Sequence, residues 1–479
     1  MIYLCLFEGI TLSLFIFVSG YKNKMGFRKF TNSPYLNEDD FRLDNSSNKV
    51  HMLAYPSVFP EGIAKLQQAT HNKDFLYWFS GFTDAEGNFL VSIVSSASKY
   101  IKLRFKINLH IDDIEVLYII KSKLGFGRVV EESSRNSCSF IVEDSLNINK
   151  LCDIFKQYPL HTSKKLDFIS FNEVVIIKAK NKVLSETDIA KIISIKNSMN
   201  SKREVFTYDT SKSQIIINPN WLIGFIEGEG TFGIKTGSAL YFQVAQKNTS
   251  QECLNGIINF LMNLSNNATL HKDPDNKILP ISVTNTINIR TNVVSLAIAN
   301  VDGLYYYLLP YLDSSKFYSR KAIDFKLWKM ALLLKIQGYY YTTEGKNLFL
   351  DISDTLNKRY STMKSSSVSD INNKIINITE RFNAIIELQP PFDVKLNIPH
   401  TENVRKYSIA NRSENPKIVY IYDGSEMVKG SPFASFSSAH KALGLKPSSN
   451  TCNRYIDTNK LYKNKYIFTS KPIDSASRD

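Results

Sequence analysis

A nine-residue segment that occurs twice in the chain constrains its fold more than any other feature of the sequence. The copies are residues 79–87 (FSGFTDAEG) and 222–230 (LIGFIEGEG), and their last glutamates, Glu86 and Glu229, are 143 positions apart. The flanks repeat as well. Each copy precedes a short apolar strand and then a longer segment, and the longer segments alternate with period two. An internal repeat of this length predicts two structurally similar halves.

Each half is predicted to contain three helices and four strands in the order αββαββα. The predicted fold class is therefore α+β, with two pseudo-symmetric αββαββα repeats and a small C-terminal α+β module. The predicted pieces, first half and then second, are long strands at 103–109 and 240–246, helices at 114–124 (before Gly125) and 251–264, second hairpins at 127–143 and 281–290, and last helices that begin at KKLDF (164–168) and RKAIDF (320–325).

The repeated segment is expected to form a helix with a stripe of small residues. Gly81 lies four residues before Ala85, and Gly224 lies four residues before Gly228, so each pair shares one helix face. Glycine inside a helix costs about 1 kcal/mol relative to alanine. Two helices with the same costly stripe are expected to pack against each other at close range.

Each of these helices is expected to end at a glutamate followed by a glycine. Gly87 and Gly230 suit the C-cap position, and Glu86 and Glu229 precede them. A carboxylate at a helix C-terminus opposes the helix dipole by about 0.3–1 kcal/mol, and two parallel helices would also bring the two carboxylates together. Divalent cations between the carboxylates relieve both effects, as in two-metal phosphodiester hydrolysis. One copy alone would indicate a solvated acid; two matched copies favour a site.

These segments resemble the LAGLIDADG motif of homing endonucleases, in the single-chain, two-motif form often encoded by introns of organellar genes. The resemblance extends over about residues 75–357. It implies that Glu86 and Glu229, the last acids of the motifs, bind the essential Mg²⁺ (or Mn²⁺) ions. It implies a chiefly structural role for the earlier acids, Asp84 and Glu227. It further implies that the two sheets form a saddle over the DNA major groove.

The resemblance also suggests further pocket residues. Gln246 lies where the family can place a polar side chain, whereas the repeat alignment puts Leu109 at the matching position, so unequal cleavage of the two strands is expected. Lys164 and Lys321 are expected to line the pocket and to stabilise phosphate charge or polarise the attacking water. Either lysine could instead be a solvated residue at a helix start. Neighbouring competitors for the same role are Lys165, Lys316 and Arg320.

The polar face of the long strands is the expected DNA surface. In the first half the apolar residues share one face and the basic and amide residues share the other, as a DNA-binding sheet requires. An ordinary solvated sheet face would show the same alternation. The second half is less basic, which suggests unequal contributions to two half-sites. The candidate DNA contacts on these strands are Lys102, Arg104, Lys106, Asn108, Gln243 and Lys247.

Charge and cysteine content restrict the function classes further. The chain has 59 Lys and Arg against 45 Asp and Glu, a formal net charge of +14, which favours a polyanionic partner. A coding bias toward A·T would also enrich Lys and Asn. The five cysteines form no CxxC pair, so neither a zinc finger nor a disulfide framework is indicated. Any metal must therefore be held by carboxylates, which favours Mg²⁺ or a similar hard cation.

The regions outside the repeats are predicted to be linkers and one further module. An apolar run at 2–18 opens the chain, and 370–388 is expected to form an isolated helix between Ser-rich and Pro-rich stretches. The predicted organisation is a leader and linker at 1–70, a first repeat at 71–210, a second repeat at 211–360, a helical linker at 361–415 and a basic module at 416–479.

The basic module resembles the small nuclease-associated modular DNA-binding domain that is often fused to homing endonucleases. Strands are predicted at 419–422 and 466–468, and two short helices at 437–443 and 448–456, spaced like a helix-turn-helix. The analogy implies that Asn450, Asn453 and Arg454 face DNA. A small α+β appendage with a basic surface is the alternative.

The hypothesis with the most support is a monomeric, site-specific double-strand DNA endonuclease that promotes intron mobility in mitochondria. The runner-up is an RNA maturase that uses the same scaffold to assist splicing of its own group I intron, alone or in addition. A third possibility is a DNA-binding regulator without catalysis, against which the intact acids of both motifs argue.

Overall fold

The chain is described here by a computed structural model that covers residues 61–93, 100–180, 183–206, 215–235, 238–267, 281–356, 368–394, 398–400, 418–447, 449–458 and 460–473. The predicted apolar leader lies outside these residues. Within them, no helix combines the length and the apolar character that crossing a membrane requires.

The first repeat contains four strands and five helices. Asp144 and Ser185 each cap the helix that follows with their side chains, as their sequence positions favour. The elements are α1 (Glu61–Glu86), β1 (Gly87–Ile93), β2 (Ile101–His110), α2 (Ile114–Leu124), β3 (Arg128–Glu132), β4 (Ser137–Val142), α3 (Ser145–Gln157), α4 (Lys164–Lys180) and α5 (Glu186–Asn197).

The second repeat follows the same order, with Asn218 as the cap of its first helix. Its elements are α6 (Pro219–Glu229), β5 (Gly230–Ile234), β6 (Leu240–Lys247), α7 (Gln251–Asn267), β7 (Thr284–Asn288), β8 (Val293–Ile298), α8 (Val301–Gly303), a π-helical segment (Leu304–Leu308), α9 (Leu309–Asp313), α10 (Lys321–Ile336) and α11 (Thr343–Thr355).

Both repeats form a four-stranded antiparallel sheet with the same topology. The strand orders are β1-β2-β4-β3 and β5-β6-β8-β7. Ile107 lies opposite Gly87 and Phe140, and Val244 occupies the matching position in the second sheet, opposite Gly230 and Leu296. The predicted α+β class with two equivalent sheets is confirmed.

Aromatic side chains fill the space between each sheet and its helices. In the first repeat Phe89 and Phe105 are fully buried and their ring centroids are 5.3 Å apart. In the second, Phe232 lies 5.6 Å from Phe242 and 5.4 Å from Trp328. Burial of each side chain of this size stabilises the fold by about 1.5–3 kcal/mol relative to exposure. The apolar residues of the period-two strands therefore face the helices, and the polar residues face away from them.

Several boundaries differ from the sequence-based expectation. The first helix begins at Glu61, inside the stretch predicted as linker. The second hairpin of the second repeat is Thr284–Asn288 with Val293–Ile298, so it extends well beyond the predicted 281–290. Each repeat also contains helices that were not predicted, both between the second hairpin and the helix that begins with the lysine (α3; α8 and α9) and after that helix (α5; α11).

The glycines after the paired helices do not act as left-handed caps. Gly230 has φ −74° and ψ 146° and already begins a strand, and Gly87 begins the matching strand. A Cβ at Gly87 would lie 2.8 Å from the Thr83 carbonyl oxygen, and one at Gly230 would lie 2.6 Å from that of Ile226. Absence of a side chain, rather than a positive φ, explains glycine at both positions.

The helix predicted to be isolated is part of the packed structure. It is α12 (Val368–Ile386), and it buries Ile378, Phe382 and Ile385. Arg381 Nη1 lies 2.8 Å from Asp351 Oδ2 on α11. A short antiparallel pair follows, β9 (Phe392–Asp393) with β10 (Ile398–Pro399).

The C-terminal residues form a small α+β unit with its own apolar core. The strand order is β12-β11-β13, and the core includes Val419, Ile421, Cys452 and Phe468. The predicted strands and two short helices are present, with boundaries shifted by a few residues. The elements are β11 (Tyr420–Asp423), β12 (Glu426–Met427), α13 (Phe436–Ala442), α14 (Thr451–Tyr455) and β13 (Tyr466–Thr469).

Candidate active site

The site is built around the two repeated helices, α1 and α6, which pack in parallel at very short range. A Cβ at Gly81 would lie 1.8 Å from the carbonyl oxygen of Trp221, and one at Gly224 would lie 2.0 Å from that of Trp78. One turn further on, a Cβ at Gly228 would lie 2.3 Å from the Cβ of Ala85. The small-residue stripe therefore permits backbone contact between the helices along their whole shared length, and it brings their C-terminal ends together.

A reciprocal pair of hydrogen bonds locks the two helices in register. Trp78 Nε1 donates to Glu227 Oε1 at 2.7 Å, and Trp221 Nε1 donates to Asp84 Oδ2 at 3.1 Å. Each motif therefore supplies a tryptophan to the acid of the other motif. Both tryptophans and both acids are buried. A buried carboxylate is tolerated only when its oxygens accept hydrogen bonds, so the earlier acids hold the helix pair together.

The same two acids also fix the loops that precede the lysine-bearing helices. Asp84 accepts hydrogen bonds from the backbone N–H groups of His161 and Thr162, at 2.7 and 3.1 Å. Glu227 accepts them from Tyr318 at 2.9 Å and from Ser319 at 2.5 Å. Burial raises the pKa of both acids, and these hydrogen bonds oppose the rise. This arrangement positions the starts of α4 and α10.

The lysines at those helix starts reach the ends of the paired helices. Lys164 Nζ donates to the carbonyl oxygens of Thr83 at 3.0 Å and Ala85 at 3.1 Å. Lys321 Nζ donates to that of Gly230 at 2.9 Å. Carbonyl groups at a helix C-terminus lack intrahelical partners and attract cations, so the lysines partly offset the acids beside them.

Burial lowers the pKa of Lys164, and the charges of Asp84, Glu86, Glu229 and Asp167 oppose this change. An ammonium group in this position is therefore surrounded by carboxylates from both repeats. The Lys164 side chain therefore lies beside the predicted reaction centre. The alternative, a solvated lysine at a helix start, does not describe this position.

The last acids of the motifs lie at the converging helix ends, and both are partly buried. A Cβ at Gly228 would lie 3.1 Å from Glu86 Oε1, so the Glu86 side chain rests against α6. Burial raises the pKa of Glu86; Lys164 and Lys321 oppose the rise, and Asp113 adds to it. The carboxylate is thus partly desolvated in a field of mixed charge.

The charge of Glu86 also affects the ionisation of Glu229. Burial and then the charge of Glu86 raise the pKa of Glu229, whereas Lys164 and Gln246 lower it. Two desolvated carboxylates that repel each other form a site that a cation would stabilise.

The pockets beside these two acids differ, as predicted from Leu109 and Gln246. Gln246 Nε2 donates to Glu229 Oε1 at 2.9 Å. The register gives Leu109 the equivalent place in the first sheet, opposite Cys138 as Gln246 is opposite Val294. The cleft at Glu86 is lined instead by Leu109, Asp113 and Lys321.

Arg320, one of the competitors for the pocket role, lies across the two repeats. Its Nε is 2.9 Å from Asp113 Oδ1 and its Nη1 is 3.1 Å from Asp112 Oδ2. The positions that match Arg320 and Asp113 in the other repeat are occupied by Ser163 and Ser250. There Ser163 N donates to Ser250 Oγ at 3.0 Å, so the ion pair is replaced by a neutral hydrogen bond.

The residues present suit a hard divalent cation for which the protein supplies only some of the ligands. Among the described residues, no group of three or more His, Cys, Asp or Glu side chains could hold a metal ion by itself. Two carboxylates are available, Glu86 and Glu229, with Gln246 beside the second. Mg²⁺ is typically bound through one or two carboxylates, with water and substrate phosphates as the other ligands. The donor set therefore fits such an ion.

Both repeats are similar to one family of known proteins. The model of the family described as "LAGLIDADG endonuclease" matches residues 79–175 and 222–332, one match for each repeat. Each repeat is therefore similar to this family over its matched range. The matched ranges begin at the nine-residue motifs and extend past the lysine-bearing helix starts.

Two fungal relatives match larger parts of the chain. The uncharacterized mitochondrial protein RF1 of Saccharomyces cerevisiae is 26% identical over 84% of this chain and 82% of its own length. The probable intron-encoded endonuclease Cox1-I1b of Schizosaccharomyces pombe is 29% identical over 54% of this chain and 64% of its own length.

Solved LAGLIDADG structures share the fold of the repeats. The homing endonuclease I-GzeII in complex with its DNA target has a TM-score of 0.50 and 24% identity, and it aligns with 60% of this chain and 99% of its own. I-LtrWI bound to target DNA has a TM-score of 0.51 and 20% identity, with the same coverage.

In the first repeat, the predicted DNA-contacting residues do lie on one face of the sheet. Lys102, Arg104 and Lys106 are half-buried and Asn108 is exposed. Lys106 pairs with Glu132 at 3.7 Å, and Asn108 Oδ1 accepts from Ser139 Oγ at 2.9 Å.

The corresponding face of the second repeat is less basic. Gln243 Nε2 lies 3.5 Å from Ser295 Oγ, and Lys247 is exposed at the strand end. Tyr241, on the same face, lies beneath Lys235, whose Nζ is 5.4 Å from the ring centroid. The predicted difference in basic character between the faces is present.

The candidate contacts of the C-terminal unit are not equivalent. Asn450 and Asn453 are exposed. Arg454, in contrast, is ion-paired: its Nη2 lies 2.6 Å from Asp354 Oδ1 on α11. Its guanidinium group therefore contacts the second repeat rather than an open surface, which differs from the expectation that it faces DNA.

Sequence reasoning missed the two tryptophans that join the motifs. A signal was available, because Trp78 and Trp221 have the same separation as Glu86 and Glu229. It also missed Glu143, which lies next to Asp144 in a loop and has no counterpart in the second repeat.

Proposed function

We propose that the chain is a site-specific double-strand DNA endonuclease of the homing type. The observation that carries the proposal is the pair of partly buried carboxylates, Glu86 and Glu229, at the converging ends of two parallel helices. Their mutual repulsion and the raised pKa of each are expected where the protein leaves room for divalent cations. The proposal makes Mg²⁺ or Mn²⁺ the cofactor.

In this proposal the two carboxylates bind the metal ions, which would supply Lewis-acid stabilisation of the phosphate and a lowered pKa for the attacking water. Gln246 orients Glu229 through its hydrogen bond. Lys164 and Lys321 hold positive charge close to the scissile phosphates and stabilise the negative charge that develops there. Asp84 and Glu227 act only through the positions of the helices and loops.

The two sheets would bind the DNA through their polar faces. The net charge of +14 favours association with a polyanion, and two solved structures of similar fold are complexes with target DNA. The candidate contacts are Lys102, Arg104, Lys106, Asn108, Gln243 and Lys247. The exposed Asn450 and Asn453 would add contacts from the C-terminal unit.

The two repeats pair within one chain, which supports a monomer as the active form. The mitochondrial description of one relative and the intron-encoded description of another support mitochondrial location and intron mobility as the biological role. The maturase alternative stays a prediction, to be tested by splicing of the host intron with and without the protein.

The test is incubation of the full chain and Mg²⁺ with an intronless copy of the host gene, followed by mapping of the ends. We expect a staggered break at one site. The double variant E86Q/E229Q should bind this DNA and leave it intact, and E115Q, a charge removal at an exposed helix position, should cut normally. Normal cleavage by the double variant, or binding without cleavage by the native chain, would overturn the proposal.

A further inference from the structure

One end of the first sheet carries a compact charged cluster, here called the Glu143 cluster, made of Lys102, Arg104, Arg128 and Glu143. The register explains it. Phe105 lies opposite Val142, so Arg104 and Glu143 are neighbours across the strands, and Arg128 lies opposite Ile141 on the other side. All four residues lie on the polar face that the proposed function assigns to DNA.

Three cations share the one carboxylate. Glu143 Oε1 contacts Arg104 Nε and lies 3.2 Å from Lys102 Nζ. Glu143 Oε2 lies 3.0 Å from Arg128 Nη2. Burial raises the pKa of Glu143, but the hydrogen bonds from Arg128, Arg104 and Lys102 outweigh it and lower the pKa to about 2. The carboxylate is therefore ionised at every pH at which the protein would work, and the cluster has a net charge of +2.

The carboxylate lies beneath the cations. Its side chain is 21% exposed, whereas that of Arg128 is 53% exposed. Partly exposed ion pairs contribute little to fold stability, and a negative charge weakens a surface that binds phosphates. Neither stability nor general DNA affinity therefore explains an acid at this place.

The orientation of the two arginine side chains explains why Glu143 lies here. The carboxylate engages Nε of Arg104 and one terminal nitrogen of Arg128, and it thereby fixes the plane of each guanidinium group. An arginine that recognises guanine must present its planar fork to O6 and N7. A long side chain held in one conformation before binding loses less entropy when it binds.

The second sheet lacks such a cluster. The positions that match Arg104, Arg128 and Glu143 are occupied by neutral residues, namely Tyr241, Thr284 and Ala299. Thr284 Oγ1 donates to the carbonyl oxygen of Ala297 at 3.0 Å. The cluster is therefore a property of one half-site and not of the fold.

We propose that Glu143 is a positioning residue for sequence specificity, which holds Arg104 and Arg128 ready to read guanines in the half-site bound by the first sheet. The inference rests on the proposed DNA-binding function of this sheet. It predicts that this half-site contains guanines whose recognition depends on the cluster, and that recognition of the half-site bound by the second sheet does not depend on it.

The test is a binding profile of the native chain, E143Q, R104M and R128M against the mapped target and against every single base-pair change in both half-sites, at several salt concentrations. E143Q should lose about tenfold discrimination at the guanines of one half-site only. It should also bind unrelated DNA more tightly, with a steeper salt dependence, because a negative charge has been removed. R104M and R128M should each lose discrimination at one or two base pairs.

Glu132, the other acid on this face, provides the matched control, because it contacts Lys106 at 3.7 Å and no arginine of the cluster. E132Q should also bind unrelated DNA more tightly but keep its base discrimination. A thermal melt of each variant separates local from global effects, since partial unfolding would weaken recognition in both half-sites equally.

Unchanged discrimination by E143Q, or a uniform loss of affinity for all sequences in R104M and R128M, would overturn the inference and leave the proposed function intact. A native chain that binds all DNA sequences equally would overturn both.

Discussion

The two repeats are closely matched along the central helix pair and differ in the neighbouring pockets and on the sheet faces. At the helix pair, Trp78 contacts Glu227 as Trp221 contacts Asp84. In the neighbouring pockets, Gln246 faces Glu229, but Leu109 occupies the matched place beside Glu86. Close packing of the two helix backbones excludes most changes of side chain at the contact. A pocket or a sheet face is less restricted by packing, so its side chains can differ between the repeats. Symmetry is therefore retained where packing requires it, and chemistry diverges elsewhere.

The prediction with the largest expected effect concerns the reciprocal hydrogen bonds between the two paired helices. Replacing either buried acid, in D84A or E227A, leaves a tryptophan N–H and two backbone N–H groups without acceptors, and should lower the free energy of unfolding by about 3–5 kcal/mol. Chemical denaturation of the two variants measures it. The account requires similar losses; a loss confined to one variant would show that the reciprocal contacts are not equivalent.

The glycine stripe should show the same equality with a somewhat smaller effect. In G81A and G224A the new Cβ would lie 1.8 and 2.0 Å from a backbone oxygen, so the helices must separate. Overpacking of this kind costs about 1–3 kcal/mol, occasionally more. Denaturation midpoints again provide the measurement. Native-like stability in either variant would contradict the close packing of α1 and α6.

The next prediction concerns the asymmetric part. Q246L gives the second pocket the side chain of the first and removes a hydrogen bond to a charged oxygen, an interaction worth about 1.5–3 kcal/mol. We expect a roughly tenfold or greater slowing of cleavage on one DNA strand. Strand-specific labels and the accumulation of a nicked plasmid measure this. Equal slowing of both strands would show that the two pockets do not work separately.

The remaining prediction is a pH dependence that comes from a residue of one repeat only. His161 packs on Trp221 as Tyr318 packs on Trp78, but only histidine has an ordinary pKa near neutrality. Burial, with Lys165 nearby, lowers the pKa of His161 from 6.5 to about 4. The unfolded chain therefore binds more protons between these values, so the free energy of unfolding falls as the pH drops from 6.5 to 4.

The variant H161Y, which copies the second repeat, should remove this part of the pH dependence while leaving stability above pH 6.5 little changed. Urea denaturation at pH 7 and pH 5 compares the two chains. An identical loss of stability in both would exclude His161 as the origin.

Local pattern was sufficient to predict some of this structure. The repeat, the small-residue stripe and the period-two strands predicted the helix pair and both sheets, because these features depend on spacing within one segment. The hairpin predicted at 281–290 was only partly right, because β7 lies within that range but its partner strand β8 lies beyond it. Gly230 is the C-cap residue of α6, as predicted, but it and Gly87 each begin a strand immediately after the helix.

The site was only partly predictable for a related reason. Glu86 and Glu229 are recognisable since each occupies a repeated position. The pairing of Arg320 with Asp113, or of Arg454 with Asp354, joins residues that are 100 or more positions apart and have no matched copy in the other repeat. No periodicity marks such contacts. They follow from the tertiary arrangement alone.

Cleavage by the single variants E86Q and E229Q tests the central claim most directly. Each should be assayed with Mg²⁺ on the mapped target, with both DNA strands followed separately and binding measured in parallel. The account predicts that each variant binds the target nearly as tightly as the native chain and yields no double-strand break. A full rate of double-strand cleavage by either variant would contradict the assignment of the paired carboxylates as the catalytic centre.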